Sequence, residues 1–160
     1  ESNLRGALNK NSSFQRAKRE LVNVLLLKSN FSDALSMAKS NYENQKLNAF
    51  HIQAYFISIT RKKFLSREDK EVIEELLKNI ERSSDFRAKE IASVMKGEYF
   101  YYVKNDASKA ITTLRECLDK NKSKHYPKKA LNDIYKRADM IGVANELNSK
   151  HNDEEETFDN

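Results

Sequence analysis

The sequence predicts an all-α fold, and three observations predict it. Its 160 residues include only three glycines and one proline, so residues that break helices are scarce. Apolar residues recur at intervals of three and four positions in eight successive stretches. Six of the seven linkers between these stretches are two to six residues long, and such short linkers force neighbouring helices to lie antiparallel. We therefore expect about four antiparallel helical hairpins.

Eight helices are predicted, two in each hairpin, and each has one apolar face. They span residues 14–28, 32–43, 46–63, 67–82, 86–103, 106–120, 127–138 and 139–149. In the same order, representative apolar residues of these faces are Leu21, Ala34, Phe56, Leu76, Ile91, Leu114, Leu131 and Val143.

Several helix starts carry capping residues. Ser66 followed by Asp69 resembles a capping box, in which the serine oxygen accepts from an otherwise unpaired backbone N–H. Pro127 falls in a first turn, where its missing N–H removes no intrahelical hydrogen bond. Further N-caps are predicted at Asn30 or Ser32, at Ser84 and at Asn105.

The hairpins repeat along the chain. Residues that open the packed face of each second helix are Ala34, Val72, Ala110 and Ala144, at steps of 38, 38 and 34. The clearest unit, GEYFYYVKNDASKAITTLRECLDKN at 97–121, resembles the tetratricopeptide repeat family in its glycine and aromatic run and in the spacing of Ala110, Leu114 and Cys117. Residues 21–41 look similar, whereas Val72 departs from the pattern. The resemblance covers residues 14–150 and implies a right-handed α-solenoid.

A second resemblance concerns NYENQKLNAFHIQAYF at residues 41–56. This stretch is similar to helical repeats that follow the nucleotide-binding core of bacterial signal-transducing (STAND-type) P-loop ATPases, a group that includes antiviral sensors. The resemblance implies a ligand-sensing region of a larger regulatory protein. The chain opens on Glu1 and not on methionine, so we expect that it was cut from a longer protein.

The charge is unevenly distributed. The last ten residues carry five of the 24 acids and no Lys or Arg, so residues 1–150 hold all 29 basic residues against 19 acids, a net charge of +10. We expect a flexible lead at 1–13, the repeat domain at 14–150 and an acidic disordered tail at 151–160. The basic body indicates an acidic partner, and the alternative is a lysine-rich solvated surface.

No catalytic constellation is visible, so we do not expect an enzyme. His51, His125 and His151 are isolated, and three scattered glycines cannot form a phosphate loop, so no metal or other cofactor is expected. The single cysteine, Cys117, fits a reducing, cytoplasmic location and a buried thiol. No apolar run approaches the roughly 18 residues of a membrane span, and no membrane partner is expected.

Binding of another protein is the leading expectation. The tetratricopeptide resemblance implies that the first helices line a concave groove, here basic at its ends and tyrosine-bearing in its middle. Four consecutive aromatics, 99–102, cover every face of a helix, so some of them must lie outside the core. The alternatives are RNA or DNA binding through the basic body, and self-association. The predicted groove residues are Arg19, Asn23, Gln53, Ile57, Arg61, Met95, Tyr99, Tyr102, Lys129, Asp133 and Lys136.

Overall fold

The computed structural model describes residues 15–139, and within that range the chain forms seven α-helices and no strand. The prediction of an all-α fold is confirmed for this part of the chain. The predicted lead at 1–13, the eighth helix beyond Asp139 and the acidic tail at 151–160 lie outside the described residues. The helices are α1 (Gln15–Leu27), α2 (Phe31–Asn44), α3 (Ala49–Thr60), α4 (Arg67–Arg82), α5 (Ala88–Tyr102), α6 (Ala107–Lys120) and α7 (His125–Arg137).

Two of the predicted caps are present. The side chain of Asn30 accepts a hydrogen bond from the backbone N–H of Asp33 and caps α2. Ser66 and Asp69 form the complete capping box of α4, each side chain accepting from the backbone N–H of the other residue. Because these bonds satisfy donors that have no partner within the helix, they fix where the two helices begin.

Two other predicted caps are wrong. Helix α5 begins at Ala88, four residues after Ser84, because a turn that includes Arg87 at φ 66° intervenes. Helix α6 is capped by Asp106, whose side chain accepts from the N–H of Lys109, and not by its neighbour Asn105. Asn105 instead adopts φ 55°, a left-handed conformation that asparagine tolerates better than most residues.

The chain divides into two compact units, and the boundary falls between Ala88 and Lys89 at the start of α5. In unit 1, α2 packs on both α1 and α3, α3 packs on α4, and α1 also contacts α3. The central helix, α3, is therefore buried on nearly all sides, which explains why its sequence AFHIQAYFISIT is apolar around its whole circumference. Fully buried core residues of unit 1 include Leu21, Leu25, Ile52, Phe56, Ile73 and Leu76.

A partly buried polar network joins α2 to α4 within unit 1. The hydroxyl of Tyr42 donates to a carboxylate oxygen of Glu75 over 2.7 Å and accepts from the side-chain amide of Asn79 over 2.7 Å. The ring of Tyr42 also lies 5.4 Å from that of Tyr55 on α3. Burial, and then the bond to Glu75, raises the pKa of Tyr42 above its ordinary value, so the phenol stays protonated.

Unit 2 is built from α5, α6 and α7, with α7 packed on α6. Helix α5 approaches α6 closely at Gly97, where an added Cβ would lie 2.7 Å from Cγ and Cδ2 of Leu114. Glu90 ties α5 to the loop before α7, because its carboxylate accepts from the backbone N–H groups of Lys122 and Ser123. Fully buried core residues of this unit include Ile91, Met95, Leu114, Leu131, Ile134 and Tyr135.

Candidate binding surface

Two of the five predicted groove residues of unit 1 are buried in the packing between helices. Arg19 and Gln53 are only 7% and 8% exposed, whereas Asn23, Ile57 and Arg61 are partly exposed. The guanidinium of Arg19 lies 4.5 Å over the ring of Phe50 and pairs with Glu20 at 2.9 Å. Arg19 is therefore held by its own unit, and a partner would have to displace these contacts.

The predicted groove residues of unit 2 separate into core and surface. Met95 is fully buried, because it follows Ile91 by one helical turn on the core face of α5, and it is unavailable to a partner. Tyr99, Tyr102 and Asp133 are partly exposed. The remaining two predicted residues, Lys129 and Lys136, are exposed on α7.

A set of four partly exposed aromatic rings, three of them beside a cation, lies at the carboxyl end of α5. The ammonium of Lys104 lies 5.6 Å from the ring centroid of Tyr99, and that of Lys109 lies 4.5 Å from that of Phe100. The guanidinium of Arg137 lies 5.5 Å from the ring of Tyr102. We call this set the aromatic–cation surface; it consists of Tyr99, Phe100, Tyr101, Tyr102, Lys104, Lys109 and Arg137.

The turn between α5 and α6 positions the first two cations. The backbone N–H of Lys104 donates to the carbonyl of Tyr99, and that of Asp106 donates to the carbonyl of Phe100 over 2.8 Å. These bonds close the end of α5, and Asp106 then caps α6 through the N–H of Lys109 over 3.0 Å. The same hydrogen bonds that end one helix and start the next thus place both lysines beside the rings.

The third cation comes from a different helix. Arg137 lies in the last turn of α7, and its guanidinium meets the ring of Tyr102, the last residue of α5. Tyr102 and Tyr101 meet edge to face, with their centroids 4.9 Å apart and their planes at 85°. Edge-to-face pairs are favourable, because the positive ring edge meets a negative ring face. The surface is therefore assembled by the packing of two helices and does not consist only of a local run of aromatic residues.

Sequence reasoning found Tyr99 and Tyr102 but missed the cations beside them. Lys104 and Lys109 follow their ring partners by five and nine residues. A short turn after the aromatic run would bring the lysines that follow it back beside the rings, so this spacing was a usable signal. Arg137 follows Tyr102 by 35 residues, and no local pattern links the two. Only the packing of unit 2 brings them together.

The electrostatics of this unit favour anions. Residues 89–139 contain twelve Lys or Arg and seven Asp or Glu, a net charge of +5. Lys104, Lys109, Lys136 and Arg137 are all exposed. An anionic group that approaches the end of α5 therefore meets positive charge beside apolar rings, and the attraction weakens as salt is added.

The side chains of His51 and Cys117 belong to the cores of their units. His51 is 1% exposed, and burial, followed by the nearby Lys18 and Arg19, lowers its pKa to about 4, so the imidazole is neutral at pH 7. Burial raises the pKa of the Cys117 thiol, which weakens it as a nucleophile. Among residues 15–139, no group of three or more His, Cys, Asp or Glu side chains is arranged to hold a metal ion.

Searches for similar proteins returned nothing: no family model, no curated protein and no solved structure matches the chain. In the described part of the chain, no helix has both the length and the apolar character needed to cross a membrane.

Proposed function

We propose that this chain is a protein-interaction module that holds an acidic protein or peptide on the aromatic–cation surface of unit 2, and that it acts by binding and not by catalysis. The observation that carries the proposal is the placement of three cations, Lys104, Lys109 and Arg137, next to partly exposed rings at one end of α5. Tyrosine and arginine are among the three residue types, with tryptophan, that are enriched where binding energy concentrates in protein interfaces.

The arrangement suits carboxylates beside apolar groups. A cation held at a ring face keeps its outward N–H groups for hydrogen bonds to a carboxylate, and such charge-assisted bonds are roughly twice as strong as neutral ones. The tyrosine rings add contact area with little loss of side-chain entropy. A peptide that combines Asp or Glu with an aromatic or aliphatic residue would use both properties.

We also propose that the helices form a right-handed α-solenoid of tetratricopeptide type. Two observations support it within the separate units. In unit 1, α1 contacts α3 although α2 lies between them in sequence, as expected if successive hairpins stack. In unit 2, Gly97 lets α5 approach Leu114 of α6 at the position where the repeat pattern has a glycine and a large apolar residue.

The biological setting that we propose is a cytoplasmic sensor or scaffold region of a larger regulatory protein, of the bacterial STAND type. Its support is the resemblance of residues 41–56 to the repeats of such proteins. In that setting, an acidic partner held by unit 2 would be the sensed ligand, and the effector would lie elsewhere in the parent protein.

A peptide-display experiment tests the binding function with a random library in place of a chosen partner. Random peptides would be selected on the wild-type chain and on a Lys104→Glu/Lys109→Glu variant. We expect the wild type to enrich peptides rich in Asp and Glu with an aromatic or aliphatic neighbour. The affinity of those peptides should fall at least tenfold on the variant. A tenfold loss corresponds to about 1.4 kcal/mol of binding free energy, which is a modest loss for the reversal of two charges.

The matched control is Lys89→Glu/Lys120→Glu. It applies the same charge change to exposed lysines of unit 2, at the far ends of α5 and α6 from the surface. This control should bind the selected peptides like the wild type once salt reaches physiological strength. Equal losses in both variants, or selection of peptides without acidic residues, would contradict the proposal.

Nucleic-acid binding is the second candidate, favoured by the net charge of +5 over residues 89–139 and by the partly exposed rings. Nucleic-acid binding ranks lower because lysine side chains already cover faces of Tyr99 and Phe100 on which a base would have to stack. A salt titration of a single-stranded oligonucleotide decides it. Several phosphate contacts predict a steep, log-linear loss of affinity with salt, and the absence of binding at low salt would remove this candidate.

A further inference from the structure

We infer that the chain carries its own ligand for the aromatic–cation surface: the acidic segment at residues 151–160. This inference rests on the proposed function, because it assigns a ligand of the same chemistry to the same side chains. The segment would compete with an outside partner and so set the concentration at which that partner binds.

The composition of residues 151–160 is complementary to that of the aromatic–cation surface. The segment HNDEEETFDN contains five acids, no Lys or Arg, and one aromatic residue, Phe158. The surface offers the exposed cations Lys104, Lys109 and Arg137, next to partly exposed rings. Carboxylates can pair with the cations while the ring of Phe158 adds apolar contact to the tyrosines.

The connection is long enough. Arg137, one of the three cations, lies two residues before Asp139, the last residue that the structure describes, and Asp153 follows Asp139 by 14 residues. Fourteen residues reach about 20 Å at the rise of a helix and at most about 50 Å when extended. The cations are linked to one another through the rings of one helical turn, 99–102, so an extended connection is long enough for the acids to reach all three.

Tethering makes even weak pairing effective. A ligand held by a short linker has an effective concentration in the millimolar range, so a segment whose free peptide binds with a millimolar Kd would occupy the surface about half of the time. An outside acidic partner must then displace the segment. Weaker apparent binding of that partner is the expected consequence.

Zero-length cross-linking of the full chain tests the inference. Carbodiimide would couple carboxylates of residues 153–159 to lysine amines that touch them, and peptide mass spectrometry would locate the bonds. We expect cross-links to Lys104 and Lys109, lost at high salt, and at least fivefold fewer to the exposed comparators Lys89 and Lys120. Cross-links spread evenly over these four lysines, or none at all, would overturn the inference.

A mixture of isotopically heavy and light chains separates contact within one chain from contact between copies. Cross-links that join only heavy to heavy and light to light are expected, whereas mixed links at the statistical frequency would contradict occupancy by the chain's own segment. Light-scattering mass measurement of the same sample shows whether copies associate.

A variant provides the functional readout. Replacing Glu154, Glu155 and Glu156 by Gln should let a synthetic peptide of sequence HNDEEETFDN bind about twofold tighter than it binds the wild type, because half-occupancy by the segment doubles the apparent Kd. An unchanged affinity would overturn the inference. Library-selected acidic peptides that still depend on Lys104 and Lys109 would leave the proposed function standing, and loss of that dependence would remove the proposed function itself.

Discussion

Gly97 shows at the scale of one residue how the sequence controls the approach of two helices. An added Cβ would lie 2.7 Å from two carbons of Leu114, a distance that real contacts essentially never reach, and Leu114 is fully buried. The repeat pattern includes Gly97, but only the structure shows what its missing side chain touches. Sequence alone predicts that a glycine matters here and not which neighbour it makes room for.

Gly97→Ala should therefore destabilise the protein. Overpacking a filled core costs about 1–3 kcal/mol, which exceeds the gain of up to about 1 kcal/mol in helix propensity. Urea unfolding would measure the loss, and Lys96→Ala on the exposed side of α5 is the control. In a Leu114→Ala background the cost of Gly97→Ala should vanish, and an equal cost in both backgrounds would refute the close approach.

His51 gives the protein an acid-sensitive residue. Its pKa is lowered to about 4 in the folded chain, from about 6.5 when unfolded, so the unfolded state binds the proton more tightly. The stability that His51 contributes is therefore present above pH 6.5 and is lost as the pH falls toward 4. At 1.36 kcal/mol per pH unit this amounts to up to about 3 kcal/mol.

Denaturant unfolding at pH 7, 5.5 and 4 would measure this loss, with His51→Gln as the reference. The variant keeps the carboxylates that also titrate at low pH but lacks the imidazole. We expect the free energy of unfolding of the wild type to fall more steeply between pH 6.5 and 4 than that of the variant. Parallel curves would show that His51 is not held neutral by burial.

At the scale of helices, Asp85 connects elements that are far apart in sequence. Its carboxylate accepts from the backbone N–H of Ala49 over 2.8 Å, which caps α3 from the loop after α4. The side chain of Asn48 accepts from the next two N–H groups, those of Phe50 and His51. The start of α3 is thus closed by one local and one distant side chain.

Asp85→Ala should cost about 1 kcal/mol and expose the amide of Ala49 to hydrogen exchange, because that donor loses its acceptor. Asp85→Asn keeps an oxygen in place and should restore most of the protection. Amide exchange followed by NMR is the measurement. Undiminished protection of Ala49 in the alanine variant would show that the distant cap is dispensable.

The extent of the helices could be predicted from sequence, but their ends could not always be. Apolar periodicity located all seven described helices to within about two residues, except at the two ends of α3, where each bound differs by three residues. Local capping chemistry explains the successes at Asn30 and Ser66. It failed at Ser84 and Asn105, where residues with positive φ, Arg87 and Asn105 itself, redirect the chain before the next helix begins.

At the scale of the whole molecule, the candidate binding surface was only partly predictable from the sequence. Composition predicted a basic body, and four consecutive aromatics indicated that some rings lie outside the core. The pairing of Tyr102 with Arg137 depends on how α5 and α7 pack. Met95 was misplaced because adjacent residues of a helix point to different faces, so an error of one position exchanges a groove residue for a core residue. Periodicity shows which residues share a face, but tertiary packing decides which face is covered.

The most direct test of the central claim is an NMR titration of the ¹⁵N-labelled chain with an acidic peptide selected by display. We predict that backbone signals shift at residues 99–104, at Lys109 and at Arg137, and that these shifts disappear in Lys104→Glu/Lys109→Glu but persist in Lys89→Glu/Lys120→Glu. Shifts confined to unit 1, or no shifts at saturating peptide, would contradict binding at the aromatic–cation surface.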